Sequence, residues 1–345
     1  RPKAFSSVGV RAFWSLFVRK PLTFLKLCIL ILRIALSSPR EALTLMGNIQ
    51  CISYFARCLK ERGIFHIHAG FLSWPACMAL AVSVVSGCTF SIAAHARDLF
   101  VEYGAVNLKA SHARFITTCT HQGLEHLQKI LPKQLHHKLH LNYHGINWAQ
   151  TDAVSDLNKS NKTILAVGRL VEKKGFANLI KAFGTIHKRC PEYMLQIVGE
   201  GPLQNSIADL IEKLSLSGKV EMMGWQEHRI TLEFIRQATI LVVPSIVAVD
   251  EDRDGIPNVI FEAIALETPI IASDLPAICE VLEHRKTGLL ATAGNPAKLA
   301  SLILELIKDK GLQNNLTQNA LEGAEKRFDL FENSNQLAQL FKDIA

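Results

Sequence analysis

The sequence predicts an α/β protein made of two Rossmann-like domains that face each other across a cleft. Two series of short apolar runs alternate with helical patterns, and each series predicts a parallel sheet covered by helices on both faces. A polar stretch at residues 150–162, rich in turn-forming residues, separates the two series and predicts a linker. The chain of 345 residues is long enough for two domains with separate cores.

The positions of the apolar runs predict the order of strands and helices. The first series predicts strands at 64–68, 89–93, 114–119 and 138–143, with helices at 72–85 and 121–131. The second predicts strands at 164–167, 194–198, 220–222, 240–243, 269–272 and 289–291, with helices at 176–189, 203–214, 259–266 and 296–309. We predict domains at 1–149 and 163–327, and a C-terminal segment at 328–345 whose helix, near 333–342, packs back on the first domain. Ligands of open parallel sheets bind beyond the carboxyl ends of the strands, which predicts the cleft.

Composition and charge exclude several classes of protein. With 49% hydrophobic and 20% charged residues the chain is globular, and its eight cysteines without a C-x-x-C pair indicate reduced thiols rather than a disulfide framework or zinc site. The net charge of +7 is local, because residues 1–40 carry eight basic and no acidic side chains, so the remainder sums to −1. The sequence contains no pattern of interleaved aromatic and basic residues, so it does not predict nucleic-acid binding.

The basic N-terminal segment predicts an amphipathic helix at about residues 11–36. Arg19, Lys26, Arg33 and Arg40 recur every seven residues, which on one helix forms a positive stripe beside an apolar face. The longest apolar run, at 27–32, is far too short to span a bilayer, and no cleavable signal peptide is indicated. Two interpretations stay open: the helix lies on an anionic membrane surface through residues 11–40, or it packs its apolar side on the domain.

The first candidate binding segment is at residues 167–175, where a predicted strand ends and a helix is about to begin. Gly168 allows close approach of backbone to a ligand. Arg169 and Lys174 reach a diphosphate as a planar fork and a point charge, and the following helix adds a favourable dipole. The alternative is a solvated basic turn.

The second candidate segment is at residues 254–262. Gly255 and Pro257 shape a tight loop before a helix that begins at Val259, where N–H groups face a pyrophosphate. Glu262 lies in an apolar run, where a carboxylate is costly unless it is hydrogen-bonded, for example by ribose hydroxyls. Asp254 is placed to accept from a sugar hydroxyl. The alternatives are a core Arg or Lys partner for Glu262 and a capping or surface role for Asp254.

The third candidate is His95, which follows a predicted strand and points into the predicted cleft, where it meets a sugar hydroxyl. A lone histidine is more often structural, and the chain has thirteen. His66 and His68 alternate on a strand and could pair on a metal, but no carboxylate or cysteine stands at ligand spacing, so no metal is predicted.

Weaker signals follow three other strands and line the same predicted cleft. Gly199 and Glu200 follow one strand, Trp225 follows the next, and Pro244 follows a third. Trp225 is a candidate to flank a nucleotide base, although packing in the core is the expected default for a tryptophan. Nothing matches a P-loop or a Ser/His/Asp set.

Seven ordered motifs together carry a resemblance that covers residues from about 64 to the C-terminus. They are HIHAGF at 66–71, SIAAHARDLF at 91–100, NYHGIN at 142–147, VGRLVEKKGF at 167–176, IVGEGP at 197–202, VPS at 243–245 and DGIPNVIFEAIALETPIIASD at 254–274. With them the chain resembles the retaining family 4 glycosyltransferases of the GT-B fold, in particular group 1 members of the exopolysaccharide and colanic-acid type.

The resemblance implies a transferase that moves a sugar from a nucleotide-sugar donor, such as a UDP- or GDP-sugar, to a lipid-linked or polysaccharide acceptor. It implies a cytoplasmic enzyme, peripheral on the inner face of the membrane, in bacterial surface polysaccharide synthesis, without metal or cofactor. The implied catalytic residues are Arg169, Lys174, His95 and Asp254. The implied donor-binding residues are Gly168, Gly199, Glu200, Trp225, Pro244, Gly255, Ile256, Pro257, Asn258, Val259 and Glu262.

Three features of the sequence depart from the family pattern. Asp254 stands where the family usually has Glu, and Glu267 stands where Gly is often found. The Gly-rich loop expected after the first strand of the N-terminal domain is absent, so either that strand is missing or closure on the donor is impaired. Two alternatives therefore stay open: a catalytically lapsed donor-binding scaffold, and a nucleotide-sugar epimerase of the same fold.

Overall fold

The computed structural model describes residues 7–148, 162–325 and 327–344. The chain divides into two compact units, one of Arg1–Asn142 with Leu340–Ala345 and the other of Tyr143–Gln339. Each unit contains a fully parallel sheet, as the alternating patterns predict. The predicted linker lies outside the described residues except for Lys162, and the predicted domain limits remain predictions.

The described residues begin with four helices rather than with the single long helix predicted at 11–36. That prediction is wrong because Pro21 starts a new helix, and a residue before proline is disfavoured in the helical conformation. Lys20 accordingly has φ −138° and ψ 56°. None of the described helices is both long and apolar enough to cross a membrane. The four are α1 (Ser7–Arg19), α2 (Pro21–Ala35), α3 (Pro39–Gly47) and α4 (Ile49–Glu61).

The predicted positive stripe is also wrong, because its members lie on three helices. Arg19 ends α1, Lys26 and Arg33 lie on α2, and Arg40 lies in the first turn of α3. A seven-residue spacing places side chains on one face only while the helix is continuous.

The first unit has a four-stranded parallel sheet in the sequential order β1-β2-β3-β4. The predicted strands and helices are found, and Ala96–Phe100, Val106–His112 and a 3-10 turn at Lys133–Lys138 are additional. The strands are β1 (His66–Ala69), β2 (Thr89–Ala94), β3 (Ile116–Thr118) and β4 (Leu139–Leu141). The helices are α5 (Trp74–Ser86), α6 (Ala96–Phe100), α7 (Val106–His112) and α8 (His121–Ile130).

The second unit has a six-stranded parallel sheet in the order β10-β9-β8-β5-β6-β7. Ile164 and Ala166 of its central strand pack in one apolar cluster and Leu165 in another, so the sheet is buried on both faces. The strands are β5 (Thr163–Val167), β6 (Met194–Val198), β7 (Val220–Gly224), β8 (Ile240–Val243), β9 (Ile270–Ser273) and β10 (Leu289–Ala291).

Eight α-helices follow β5 in the part of the chain that the structure describes. Five of them lie where helices were predicted, the last of these being the C-terminal helix near 333–342, whereas α11, α13 and α15 were not predicted. They are α9 (Phe176–Arg189), α10 (Gln204–Lys213), α11 (His228–Gln237), α12 (Asn258–Ala265), α13 (Pro276–Cys279), α14 (Pro296–Leu306), α15 (Lys310–Glu325) and α16 (Leu330–Lys342). The end of α16 groups with the first unit, where the Phe341 ring lies 5.8 Å from that of His66 and 5.2 Å from that of His68.

Candidate functional site

The strand order of the second sheet identifies one place where a ligand should bind. From β5 the chain runs outward through β6 and β7, returns to β8 on the other side of β5, and continues to β9 and β10. In such sheets the crevice beyond the carboxyl ends of the two central strands is the binding place. The segments after β5 and β8 carry the predicted residues Arg169, Lys174, Pro244 and Asp254.

Lys174 and Asp254 meet at this crevice. The Lys174 Nζ lies 2.8 Å from the Asp254 Oδ2, and the Ser245 hydroxyl donates to the same oxygen at 2.7 Å. The Asp254 side chain is 8% exposed and that of Lys174 18%. The buried carboxylate is therefore satisfied by two short hydrogen bonds, while the ammonium, which has three N–H donors, keeps capacity for a further acceptor such as a phosphate oxygen.

Lys173 forms a second ionic contact that sequence reasoning missed. Its Nζ lies 3.1 Å from the Asp252 Oδ1 and 3.7 Å from the Asp254 Oδ1. Its backbone carbonyl accepts from the Ile246 N–H at 2.8 Å. The sequence contained two signals of this contact: the adjacent Lys173 and Lys174, and the D-x-D spacing at 252–254. These contacts tie the turn after β5 to the loop after β8.

The loop after β6 supports the loop after β5. Gly199 has φ +134°, and a Cβ there would lie 2.1 Å from the Gly168 carbonyl oxygen, so only glycine permits this approach. The Gly168 N–H donates to the Val198 carbonyl at 2.9 Å, and the Leu170 N–H to the Glu200 carbonyl at 2.9 Å. The backbone on both sides of Arg169 is thus fixed, and its side chain is exposed.

Trp225 is not a core residue, so the expected default of core packing is wrong. Its indole is 68% exposed, because it follows the end of β7, where the chain turns outward. Its backbone N–H donates to the Glu200 Oε1 at 3.3 Å. An exposed aromatic ring therefore stands next to Glu200 at the carboxyl end of the sheet, where a planar base can stack.

Glu262 lies in the middle of α12, and its carboxylate is less buried than the apolar run around it predicts. Its side chain is 22% exposed, because the helix turns this position away from the core that buries Phe261 and Ala263. The Glu262 Oε1 lies 3.2 Å from the His228 Nε2, so the partner is an exposed histidine rather than the core Arg or Lys of the alternative.

The loop before α12 has the tight shape that its glycine and proline predict. Ile256 and Pro257 are buried, Gly255 is half-buried, and Asn258 is exposed where the helix begins. The Asn258 Oδ1 lies 3.4 Å from the His144 Nδ1. Val259 is buried in the first turn of α12, where no side chain of the described residues caps the backbone N–H groups, so these groups are able to bind an anion.

His95 lies in the first unit, directly after β2. Its backbone N–H donates to the Asp98 Oδ1 at 2.7 Å, and its ring centroid lies 5.0 Å from that of Phe71. Asp98, which sequence reasoning missed, also accepts from the Leu72 N–H, and burial raises the pKa of this carboxyl. The aspartate thus holds together the chain segments that follow β1 and β2.

The histidines considered as a metal pair bind hydroxyl groups. The His66 Nδ1 lies 2.7 Å from the Thr89 Oγ1, and the His66 Nε2 and His68 Nδ1 each lie 2.8 Å from the Ser91 Oγ. Three ring nitrogens are therefore engaged with side chains of β2. The absence of a metal at the site remains an expectation.

Comparison with protein families shows what the second unit is similar to. The family model described as glycosyl transferases group 1 matches residues 149–323. An amylovoran biosynthesis glycosyltransferase of Erwinia amylovora is 30% identical over 184 residues, which is 53% of this chain and 45% of the relative. A putative colanic acid biosynthesis glycosyltransferase of Salmonella typhimurium is 28% identical over 182 residues, 52% of this chain and 45% of the relative. The matched stretch thus spans less than half the length of these relatives.

Solved structures extend the likeness to both units. HepE of Anabaena, in complex with UDP-glucose, superimposes with a TM-score of 0.71 at 19% identity, covering 85% of this chain and 82% of HepE. Sucrose-phosphate synthase of Thermosynechococcus elongatus gives 0.72 at 20% identity, covering 87% and 78%. At these identities the likeness shows the fold alone, and the fold is GT-B, as predicted.

Proposed function

Since the chain belongs to the group 1 glycosyltransferases, we propose that it transfers a sugar from a nucleotide-sugar donor to a lipid-linked or polysaccharide acceptor, with retention of anomeric configuration. The observation that carries the proposal is the contact of Lys174 with Asp254 at the point where the strand order of the second sheet reverses. A partly exposed cation held by a buried carboxylate at this point suits the diphosphate and the sugar of one donor.

The cations act on the departing nucleotide. Lys174 and the exposed Arg169 bind the donor diphosphate, and they stabilise the negative charge that grows on it as the glycosidic bond breaks. Asp254 orients the Lys174 ammonium in the resting site and accepts from a hydroxyl of the sugar. Lys173, which is bound to Asp252, holds the loop and takes no direct part.

Further residues are proposed to contact the donor. When the donor binds, Glu262 gives up its contact with His228 and accepts hydrogen bonds from the ribose hydroxyls. Trp225 flanks the base. The backbone at 255–259 holds the sugar ring, and His95 binds a sugar hydroxyl. No protein nucleophile is required, because the leaving phosphate accepts the acceptor's proton on the front face of the donor. Catalysis is then positioning plus stabilisation of phosphate charge, without metal or cofactor.

The relatives support the substrate class. The UDP and UDP-glucose complexes of HepE favour a uridine nucleotide, with GDP-sugars as the alternative donors. The relatives that make amylovoran and colanic acid favour a role in bacterial exopolysaccharide synthesis. A lipid-linked acceptor would place the enzyme in the cytoplasm, peripheral on the inner face of the membrane.

The proposal is tested by thermal unfolding of the protein with UDP-, GDP- and ADP-sugars, followed by transfer assays without added metal. A specific donor stabilises the fold by about 2.7 kcal/mol at a concentration one hundred times its Kd. Lys174→Ala should lower turnover by about 100- to 1000-fold. Glu262→Ala should weaken donor binding. Lys173→Ala is the matched control and should keep most of the turnover.

Two outcomes would overturn the residue assignment, and two others would overturn the proposed activity. Normal turnover in both Lys174→Ala and Glu262→Ala would refute the residue assignment, and equal losses in Lys173→Ala and Lys174→Ala would remove the distinction between the two lysines. Donor binding without transfer to any acceptor would establish a lapsed scaffold. Interconversion of the nucleotide sugar without an acceptor would establish an epimerase.

A further inference from the structure

Helix α2 has two apolar faces, although a helix on a soluble domain needs one. Its buried face consists of Leu27, Leu30, Ile31 and Ile34. On the opposite side, apolar residues recur at spacings of three and four, which aligns them along one stripe. We call them the outer stripe: Leu22, Leu25, Ile29, Leu32 and, just past the helix end, Leu36, with exposed fractions from 48% at Ile29 to 84% at Leu36.

The neighbouring helices extend the outer stripe. On α1, Trp14 and Phe17 are exposed, and the Phe17 ring lies 5.2 Å from that of Phe24 on α2. On α3, Leu43 and Met46 are exposed and line, with α2, an apolar groove of about 460 Å³. Of the twenty exposed large apolar side chains among the described residues, ten lie between residues 14 and 46. Contiguous apolar surface of this kind marks an interaction site.

Positive charge accompanies this surface. Lys26 and Arg33 are exposed on α2, and the helical repeat places both beside the outer stripe and away from the buried face. Arg11 and Arg19 on α1 and Arg40 on α3 are exposed as well. The first 40 residues contain no acidic side chain, so the partner of the surface should be apolar within and negatively charged at its boundary.

We propose that α1, α2 and α3 form a docking surface that lies in the head-group region of an anionic phospholipid leaflet. The outer stripe and the aromatic rings of α1 enter the acyl boundary, the groove between α2 and α3 receives a lipid chain, and the basic side chains meet the phosphates. The 15 residues of α2 extend about 22 Å, short of the roughly 30 Å of a hydrocarbon core, so the helix lies along the membrane. The surface is separate from the donor site, and its docking does not require sugar transfer.

The test is flotation of the protein with vesicles of phosphatidylcholine alone and of phosphatidylcholine mixed equally with phosphatidylglycerol. The protein should float with the mixed vesicles, and less so as salt is raised. Leu25→Glu/Ile29→Glu should lower partition at least about tenfold, because it charges the centre of the stripe. Lys26→Glu/Arg33→Glu should lower partition on the mixed vesicles by at least about tenfold.

The control variants carry changes of the same kind in the second unit. Lys308→Glu/Lys310→Glu makes the same change of net charge at exposed sites of the second unit, and Phe331→Glu charges an exposed apolar site on α16; both should float as the parent protein does. Unchanged thermal unfolding shows that each variant is folded. Equal partition on neutral and mixed vesicles, or an equal loss in the controls, would overturn the proposal. So would failure to float combined with an oligomer that Leu25→Glu/Ile29→Glu dissociates, since a second copy would then cover the surface.

Discussion

Each unit contains a lysine paired with a carboxylate, and the two pairs differ in what surrounds them. In the second unit the Lys174 Nζ lies 2.8 Å from Asp254, and the lysine side chain is 18% exposed at the carboxyl end of the sheet. In the first unit the Lys109 Nζ lies 2.6 Å from the Glu41 Oε1, and the lysine side chain is 0% exposed. The comparison shows that an ion pair alone does not mark a functional site.

The surroundings of the Lys109–Glu41 pair, which we call the sealed pair, explain its role. Lys109 also donates to the carbonyls of Leu72 at 3.0 Å and Ser73 at 3.3 Å, so all three of its donors are used within the first unit. It joins α3, α7 and the segment after β1. Lys174 instead belongs to a loop that the loops after β6 and β8 support, and it keeps access to solvent. Lys109 therefore has a scaffolding role, and Lys174 remains the lysine proposed to bind the donor.

The largest expected effect tests the sealed pair. Lys109→Met leaves the Glu41 carboxylate and two carbonyls without their donor, which should lower the free energy of unfolding by about 3–5 kcal/mol. Chemical denaturation measures the loss. Glu41→Leu/Lys109→Met removes both charges and should recover a large part of it. If the single variant is as stable as the parent, the pair does not hold the fold.

The next effect tests how closely the site loops of the second unit approach each other. Gly175 has φ +65°, and a Cβ there would lie 1.9 Å from the Pro244 carbonyl oxygen. Gly175→Ala should therefore lower the free energy of unfolding by about 3 kcal/mol. The variant should also lose the thermal stabilisation that the donor gives the parent protein. Gly218 is the control, since it has φ +72° and nothing within 4 Å of a Cβ, so Gly218→Ala should cost only about 1 kcal/mol. Equal losses would show that the contact with Pro244 is unimportant.

A smaller loss of stability is expected when the Lys174–Asp254 pair of the second unit is broken. Lys174→Met should lower the free energy of unfolding by about 1 kcal/mol, because the buried Asp254 carboxylate keeps the Ser245 hydroxyl and the nearby Lys173 as partners. Urea denaturation of this variant beside Lys109→Met measures the difference directly. Similar losses in the two variants would contradict the distinction between scaffold and site.

The smallest effect on stability concerns Trp225. Because its indole is 68% exposed, Trp225→Ala should change the free energy of unfolding by less than about 0.5 kcal/mol, while the thermal stabilisation by the donor should decrease. Phe331→Ala is the control: its ring is 64% exposed, and neither quantity should change. A loss of several kcal/mol in Trp225→Ala would restore the core interpretation of the tryptophan.

The amino-acid sequence by itself determined the strands and most of the helices of the second unit, together with the segments proposed to form its site. The strands at 194–198, 240–243 and 289–291 and the helix at 176–189 lie where their apolar periodicity predicts them. Lys174 and Asp254 were singled out from their places beside glycine and proline at strand ends. Local patterns suffice here, because strand and helix periods and turn chemistry act between residues close together in the chain.

Only the tertiary structure decided which side chains are buried and what they bind. Lys109 and Glu41 are 68 residues apart, His228 and Glu262 are 34 apart, and no local pattern pairs them. The break at Lys20 was local and readable from Pro21, yet the apolar residues of α2 could not be divided by sequence into a buried face and an exposed one. Burial depends on distant elements that pack against a helix or strand, and this is why tertiary structure distinguishes the scaffold pair from the site pair.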